Sequence, residues 1–422
     1  MNVDLIIKTD GQLVTCASPV GSKRGSAMRD VGIIPGGAIA INDGVIIDVG
    51  NAAEIQSAHA TAELFDVGDR VICPGFVDPH THIVYAGERL DEFELKLKGA
   101  DYLEILAAGG GILSTVKETR EAAVGQLVDG GLKRLGKMLQ CGTTTAEVKT
   151  GYGLDLETEL KMLRVIEQLD QMQAIDIVPT FLAAHAVPQE HKADPNTYVD
   201  LICSIMLPAA WGWYKDSGFF ERTPFFVDIF TERNAFDVGQ MSEIFTEARN
   251  IGFKTKAHVG QFTNLGGSRL AIEMGAVSID HLDAISAAEI ELLAGSGTVG
   301  IVTPTVNFNM GSCRFADARQ FIDSGCAVAV STDFNPGSAP CPSQQLAMAI
   351  ACRYQKLAPS EALNAATINA AHGCGVGDRA GSFERGKKAD ILILDADDFR
   401  QVVYEFGGNS VRNVFKAGVV VL

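Results

Sequence analysis

Short apolar runs rich in β-branched residues, broken by turn formers, open the chain. Residues 3–7, 37–42 and 44–49 read as strands, with Asn42-Asp43-Gly44 as the hairpin turn between the last two. The same texture returns at the far end, in residues 389–394 and 411–422. Two β-rich ends flanking a long middle predict that the termini meet in one small β-sandwich domain, residues 1–70 with 375–422. Across residues 71–374 the pattern switches to strand–helix alternation, the signature of a parallel α/β fold. Apolar strand runs fall at 71–77, 143–148, 175–183, 225–230, 253–257, 276–279, 298–302 and 327–330. Helical periodicity marks 156–171, 239–250 and 286–294. Eight such strands predict a (β/α)8 barrel, a fold whose active sites form at the C-terminal strand ends.

Composition narrows the function. The 422 residues carry 35 basic and 52 acidic side chains, a net charge of −17. That balance argues against a nucleic-acid backbone or an anionic membrane as partner, since both need a positive surface. An anionic small-molecule substrate would need a local arginine or lysine. The nine cysteines are scattered without a Cys-x-x-Cys pair, which reads as free thiols in a reducing compartment. No basic, apolar leader opens the chain and no apolar run reaches the roughly 18 residues of a membrane span. A cytoplasmic protein is the expectation.

The polar residues that close the barrel runs carry the chemistry. Pro74-Gly75-Phe76-Val77-Asp78-Pro79-His80-Thr81-His82 leads a buried strand into His-x-His. Residues two apart on a strand share a face, so both imidazoles can reach one ion. The plainer alternative is two unrelated polar residues at a strand end. His185, His258 and His281 also close apolar runs, and Asp333 closes the last, so five of the eight histidines project onto one rim. Histidine and carboxylate ligands without cysteine suit zinc or iron(II) in an open, water-bearing site. Plain readings exist here too: His185 and His281 as structural histidines, Arg89 as a surface ion pair, Tyr152 as core packing. The Gly-Tyr-Gly context of Tyr152 suits a tight loop better than a helix face.

Pro-Gly-x-x-Asp-x-His-x-His, a later strand-end histidine and Ser331-Thr332-Asp333 resemble the amidohydrolase superfamily of metal-dependent hydrolases. More narrowly, the chain is similar to the imidazolonepropionase family over essentially its whole length. The resemblance rests on Gly109-Gly-Gly-Ile-Leu-Ser-Thr-Val116, Glu147-Val-Lys-Thr-Gly-Tyr-Gly-Leu-Asp-Leu-Glu-Thr-Glu-Leu160, Phe262-Thr-Asn-Leu-Gly-Gly267 and Thr332-Asp-Phe-Asn-Pro-Gly337. It implies hydrolysis of the cyclic amide C–N bond of 4-imidazolone-5-propanoate to N-formimino-L-glutamate, a step of histidine degradation. It also implies one divalent metal ion, Zn2+ or Fe2+, held by His80, His82, His258 and Asp333, and a homodimer. Arg89 matches the family's substrate arginine, Tyr152 and His185 match further substrate contacts, and Gln261 matches the side chain that reads the ring. His281 falls on the catalytic histidine; Asn335, Gly337 and Ser338 fall where the ring or opened product is held. In these roles Asp333 is the general base, His281 polarises the carbonyl, and Arg89 clamps the propanoate bidentately.

Some relatives hold two metals bridged by a carboxylated lysine on the fourth strand. Lys149 ends the second strand by this count, and the fourth contains no lysine, so one metal is expected. Several stretches depart from the family: Val259 and Gly260 after His258, Thr231-Glu-Arg-Asn-Ala-Phe236, an insertion at 211–225 with both tryptophans, and the 303–314 segment. As loops at a barrel mouth they would bear on the substrate. The alternatives are a related mononuclear cyclic amidohydrolase or deaminase for another nitrogen heterocycle, and a silent scaffold that kept the barrel.

Overall fold

The computed structural model describes residues 3–99 and 110–422; Gly109 of the glycine-rich stretch lies outside them. The terminal segments build two sheets. In the first, Val45–Asn51 (β5), Gly37–Asn42 (β4), Leu5–Lys8 (β1) and Glu63–Asp66 (β6) lie side by side in that order. The second has the order Val419–Val420 (β18), Val411–Lys416 (β17), Ile391–Leu394 (β16), Val71–Pro74 (β7), Gln12–Val14 (β2) and Ile33–Pro35 (β3). Asp43 and Gly44 take φ of 48° and 75°, the two-residue geometry that lets β4 return as β5. The run at 411–422 is a hairpin rather than one strand, because Ala417 and Gly418 also turn at positive φ.

Alternation puts one face of each sheet against the other. Ile7, Ile39, Ile41 and Ile46 meet Leu13, Ile72, Ile391, Ile393 and Phe415 in a buried cluster, the core of the expected sandwich. The second sheet's opposite face, including Val71, Cys73, Leu392 and Val414, joins the core it shares with the barrel.

Eight parallel strands form that barrel in chain order: Phe76–Asp78 (β8), Thr143–Lys149 (β9), Asp176–Ala184 (β10), Phe226–Thr231 (β11), Lys254–Val259 (β12), Ser278–His281 (β13), Val299–Val302 (β14) and Val328–Val330 (β15). A parallel bridge from Thr81 to Phe334 joins the two ends. The run at 71–77 is therefore two strands. Its first half belongs to the sandwich and its second half opens the barrel, with Gly75 at the crossing. A Cβ there would lie 2.1 Å from the Thr144 hydroxyl, so the close approach requires glycine.

Inward positions change character along the barrel axis. Val77, Val178, Phe226, Val299, Ile301 and Ala329 fill its floor with Ala370 and Cys374 from the helix Ile368–Gly373 and its C-cap. One step up, Glu147, Lys149, Asp228, Lys256 and Asp280 replace aliphatic residues with charge, all fully buried. A further step reaches the histidines.

A candidate metal centre at the barrel mouth

His80 and His82 lie just past β8 rather than on it, and extended backbone keeps both rings on one side. His80 Nδ1 lies 2.6 Å from Asp280 Oδ2, and His258 Nδ1 lies 2.9 Å from Asp228 Oδ2. A carboxylate facing Nδ1 accepts the hydrogen bond of its N–H, the tautomer that leaves Nε2 of both rings bare. Both converge on the third ring: His82 Nε2 is 3.2 Å from His80 Nε2 and 3.3 Å from His258 Nε2. Asp333 Oδ1 completes the group at 3.6 Å from His80 Nε2 and 3.5 Å from His82 Nε2. Burial, with neighbouring positive charge, holds His80 and His82 well below the ordinary imidazole range, so their lone pairs are free at neutral pH.

Lone pairs crowded this closely repel unless a cation lies between them. Tetrahedral bonds of about 2.0–2.1 Å to nitrogen give edges of roughly 3.3–3.4 Å, close to the observed spacing. The residues fit a divalent ion. His80, His281 and Asp333 form an overlapping group with the same property.

Around this point the loops are pinned by side chains. Asp333 has φ of 48° and His281 of 79°, conformations L-residues seldom adopt. Asp78 holds the Asp333 turn by accepting Ser331 Oγ and Thr332 Oγ1 at 2.5 Å each. Asn335 donates to Asp333 Oδ1 at 3.0 Å and accepts the amides of Gly337 and Ser338 at 2.8 and 2.7 Å. Burial raises the Asp333 carboxyl to about 7, within reach of a proton at neutral pH. His281 Nδ1 is 3.0 Å from Thr303 Oγ1, and its Nε2, buried and without a hydrogen-bond partner, stands 3.9 Å from Asp333 Oδ2.

The substrate-side residues gather on the same rim. His185 donates from Nδ1 to Gly151 O at 3.0 Å and stacks on His82 with centroids 5.0 Å apart. Burial lowers its pKa to about 3. Tyr152 lies 5.5 Å from His185 and 6.0 Å from His82, centroid to centroid. Glu159 shapes that loop by accepting the amides of Gly151, Gly153 and Leu154.

Arg89 is not an unpaired cation. Its Nε and Nη2 meet the Glu92 carboxylate at 2.7 and 2.5 Å, and its guanidinium lies over Gly337, leaving Nη1 without a carboxylate among the described residues. Lys96 adds a second positive charge, 2.6 Å from Glu92 and 3.3 Å from Gly337 O. Gln261 leaves β12 by way of Gly260 and lines a ≈150 Å³ cleft with Asp283, Asn307 and Arg314. A cavity of ≈840 Å³ opens at the other end of the barrel, lined by Lys23, Arg24 and His372, and shares none of these residues.

Two departures from the family settle differently. The 211–225 stretch is not at the mouth: Trp211 packs on Phe253 and Gly252, and Tyr214 stacks on Phe225, all before β11 and β12 begin. The 303–314 segment is at the mouth. Thr303 reaches His281, Thr305 Oγ1 donates to Thr332 O at 2.5 Å, and Asn309 Nδ2 donates to Ser338 O at 2.8 Å. At Thr231-Glu232, Glu232 accepts the amides of Phe262 and Thr263 at 3.0 Å and so fixes the loop after Gln261.

Comparison with known proteins places the chain. The model of the amidohydrolase family matches residues 71–421. An imidazolonepropionase from Chloroflexus aggregans is 50% identical over 99% of this chain and 98% of its own. The chain belongs to the imidazolonepropionase branch of the amidohydrolase family. Another imidazolonepropionase, from Herpetosiphon aurantiacus, is 45% identical over 100% of this chain and 97% of its own. One from Bacillus velezensis is 41% identical, again over 100% and 97%. Among solved structures, a zinc-bound adenosine deaminase from Xanthomonas campestris superposes with a TM-score of 0.73 at 20% identity, covering 100% of this chain and 93% of that one. At that identity the likeness speaks for the barrel and sandwich alone.

The sequence reading missed the layer beneath the histidines. Asp228, Asp280, Glu147 and Lys256 sit at inward positions of β9, β11, β12 and β13. Charged residues alternating with apolar ones in barrel strands were the signal that would have found them.

Proposed function

We propose that this chain hydrolyses the ring amide of 4-imidazolone-5-propanoate to N-formimino-L-glutamate, with one divalent ion, zinc or iron(II), held by His80, His82, His258 and Asp333. The observation that carries the reading is the convergence of three imidazole Nε2 atoms and Asp333 on one buried point at the barrel mouth. Such an ion, when bound, lowers the pKa of its water to about 7 and polarises a carbonyl.

The remaining work falls to the side chains. Arg89, oriented by Glu92, offers Nη1 to the propanoate and supplies the local charge that a chain of net −17 needs. Tyr152 and His185 wall the ring, and Gln261 with Asn335 and Ser338 present polar atoms to its edge. Asp333 takes a proton from the attacking water and returns it to the leaving ring nitrogen as the C–N bond breaks. The carbonyl carbon keeps the water oxygen, and the electron pair of the broken bond stays on the nitrogen. His281 donates from Nε2 to the oxygen that gains charge in the tetrahedral state. Nine free cysteines fit a reducing, cytoplasmic setting; among the described residues no helix is long and apolar enough to cross a membrane.

A panel of 4-imidazolone-5-propanoate, hydantoin-type cyclic amides and aminated heterocycles tests the substrate. Preference for the first by at least tenfold in kcat/KM is expected. Preference for another heterocycle would move the chain to a sister activity.

A further inference from the structure

The buried charge layer has an arrangement that the reaction steps do not use. Lys149 Nζ lies 2.7 Å from Asp228 Oδ2, 2.8 Å from Glu147 Oε2 and 3.9 Å from Asp280 Oδ2. Asp228 and Asp280 are the two carboxylates that face Nδ1 of His258 and His80. One ammonium thus stands between the partners of two convergent histidines. Lys256 ties in from the other side, 2.8 Å from Glu147 Oε2, and donates to the carbonyl of Pro79, the residue before His80, at 2.7 Å. All five charged side chains are fully buried. Three carboxylates face two ammoniums in the buried interior.

We infer that Lys149 is a positioning residue for the metal centre: its ammonium holds Asp228 and Asp280 in the orientation that fixes His258 and His80 with Nε2 bare and aimed at the ion. The inference rests on the reading that these histidines hold the metal. Its physical basis is Coulombic. Two buried carboxylates drawn toward one cation are held in place, whereas without it they repel across a low-dielectric interior, and a carboxylate that turns away releases its histidine. Lys149 therefore acts on two ligands at once. These contacts also account for the lysine as a cation rather than as a carboxylated bridge.

The test is metal affinity, measured by competition between the zinc-loaded protein and a colorimetric chelator, with folding followed by circular dichroism. Loss of a partner that orients a metal ligand costs about 10- to 100-fold in affinity. Lys149→Met is expected to lose at least tenfold. Glu147→Gln, which leaves Lys149 between the two aspartates, is expected to stay within threefold of the parent. The double variant Lys149→Met/Glu147→Gln removes one charge of each sign, so the layer's net charge is unchanged and the fold is spared. It should bind zinc at least tenfold more weakly than Glu147→Gln alone. Equal affinity of the double variant and Glu147→Gln would overturn the inference. His82→Ala separates the two failures, because zinc binding that survives it would refute the ligand assignment instead.

Discussion

Replacing Gly337 by alanine tests how the substrate's acid group is held. A Cβ at this position would sit 2.0 Å from Arg89 Nη1 and 2.6 Å from its Cζ. The backbone of Gly337 is outside the positive-φ region, so alanine meets no conformational obstacle, only the guanidinium. Ordinary contact needs about 3.4 Å or more, so the arginine head must move by more than 1 Å. Such a shift stretches at least one of the two bonds to Glu92, now 2.7 and 2.5 Å, past hydrogen-bond length. A charge-assisted bond contributes about 1.5–3 kcal/mol, so misplacing Arg89 corresponds to about a 10- to 100-fold loss of carboxylate binding. Because the propanoate is held alike before and during ring opening, the loss falls on KM, with kcat within about threefold. Steady-state kinetics on 4-imidazolone-5-propanoate gives both constants, and an analogue lacking the carboxylate serves as control. An unchanged KM, or an equal loss with the neutral analogue, would refute the placement of the acid group beside Arg89.

Further outcomes follow from the same geometry. Arg89→Ala should raise KM at least as much as Gly337→Ala, and combining the two should add little; full additivity would mean that they act separately. Asp333→Asn should lower turnover by at least about 100-fold with melting temperature retained, since base and ligand are lost together; near-normal activity would reassign the base. Asp283 tests a pH dependence of stability. Burial raises its carboxyl from 3.8 to about 7, so its folded-state advantage is complete below 3.8 and disappears as pH rises through 7. Asp283→Asn, which cannot ionise, should therefore raise the melting temperature relative to the parent at pH 8, with the gap closing toward pH 4. A gap that is constant across pH would contradict the burial argument.

Placement explains what the sequence could and could not disclose. His80, His82, His258 and Asp333 were legible because each closes an apolar run, and a parallel barrel brings such ends to one rim. The sandwich was legible because isoleucines alternate at both termini. Arg89's engagement by Glu92 was not, although the two are three residues apart, because nothing local says that the helix Leu90–Leu97 turns that carboxylate inward. The 211–225 stretch was misjudged for a related reason. Tryptophan content says that a segment packs, not which end of the barrel it packs on. The charged layer escaped because its members come from four strands spread across residues 147–280, and only the folded barrel makes their side chains neighbours.

Turnover of 4-imidazolone-5-propanoate by the zinc- or iron-replete chain, followed by loss of ring absorbance and mass detection of N-formimino-L-glutamate, is the decisive measurement of the proposed reaction. Stoichiometric ring opening that stops on metal removal and returns on its restoration is expected. Metal-replete, folded protein that leaves the ring intact would contradict it.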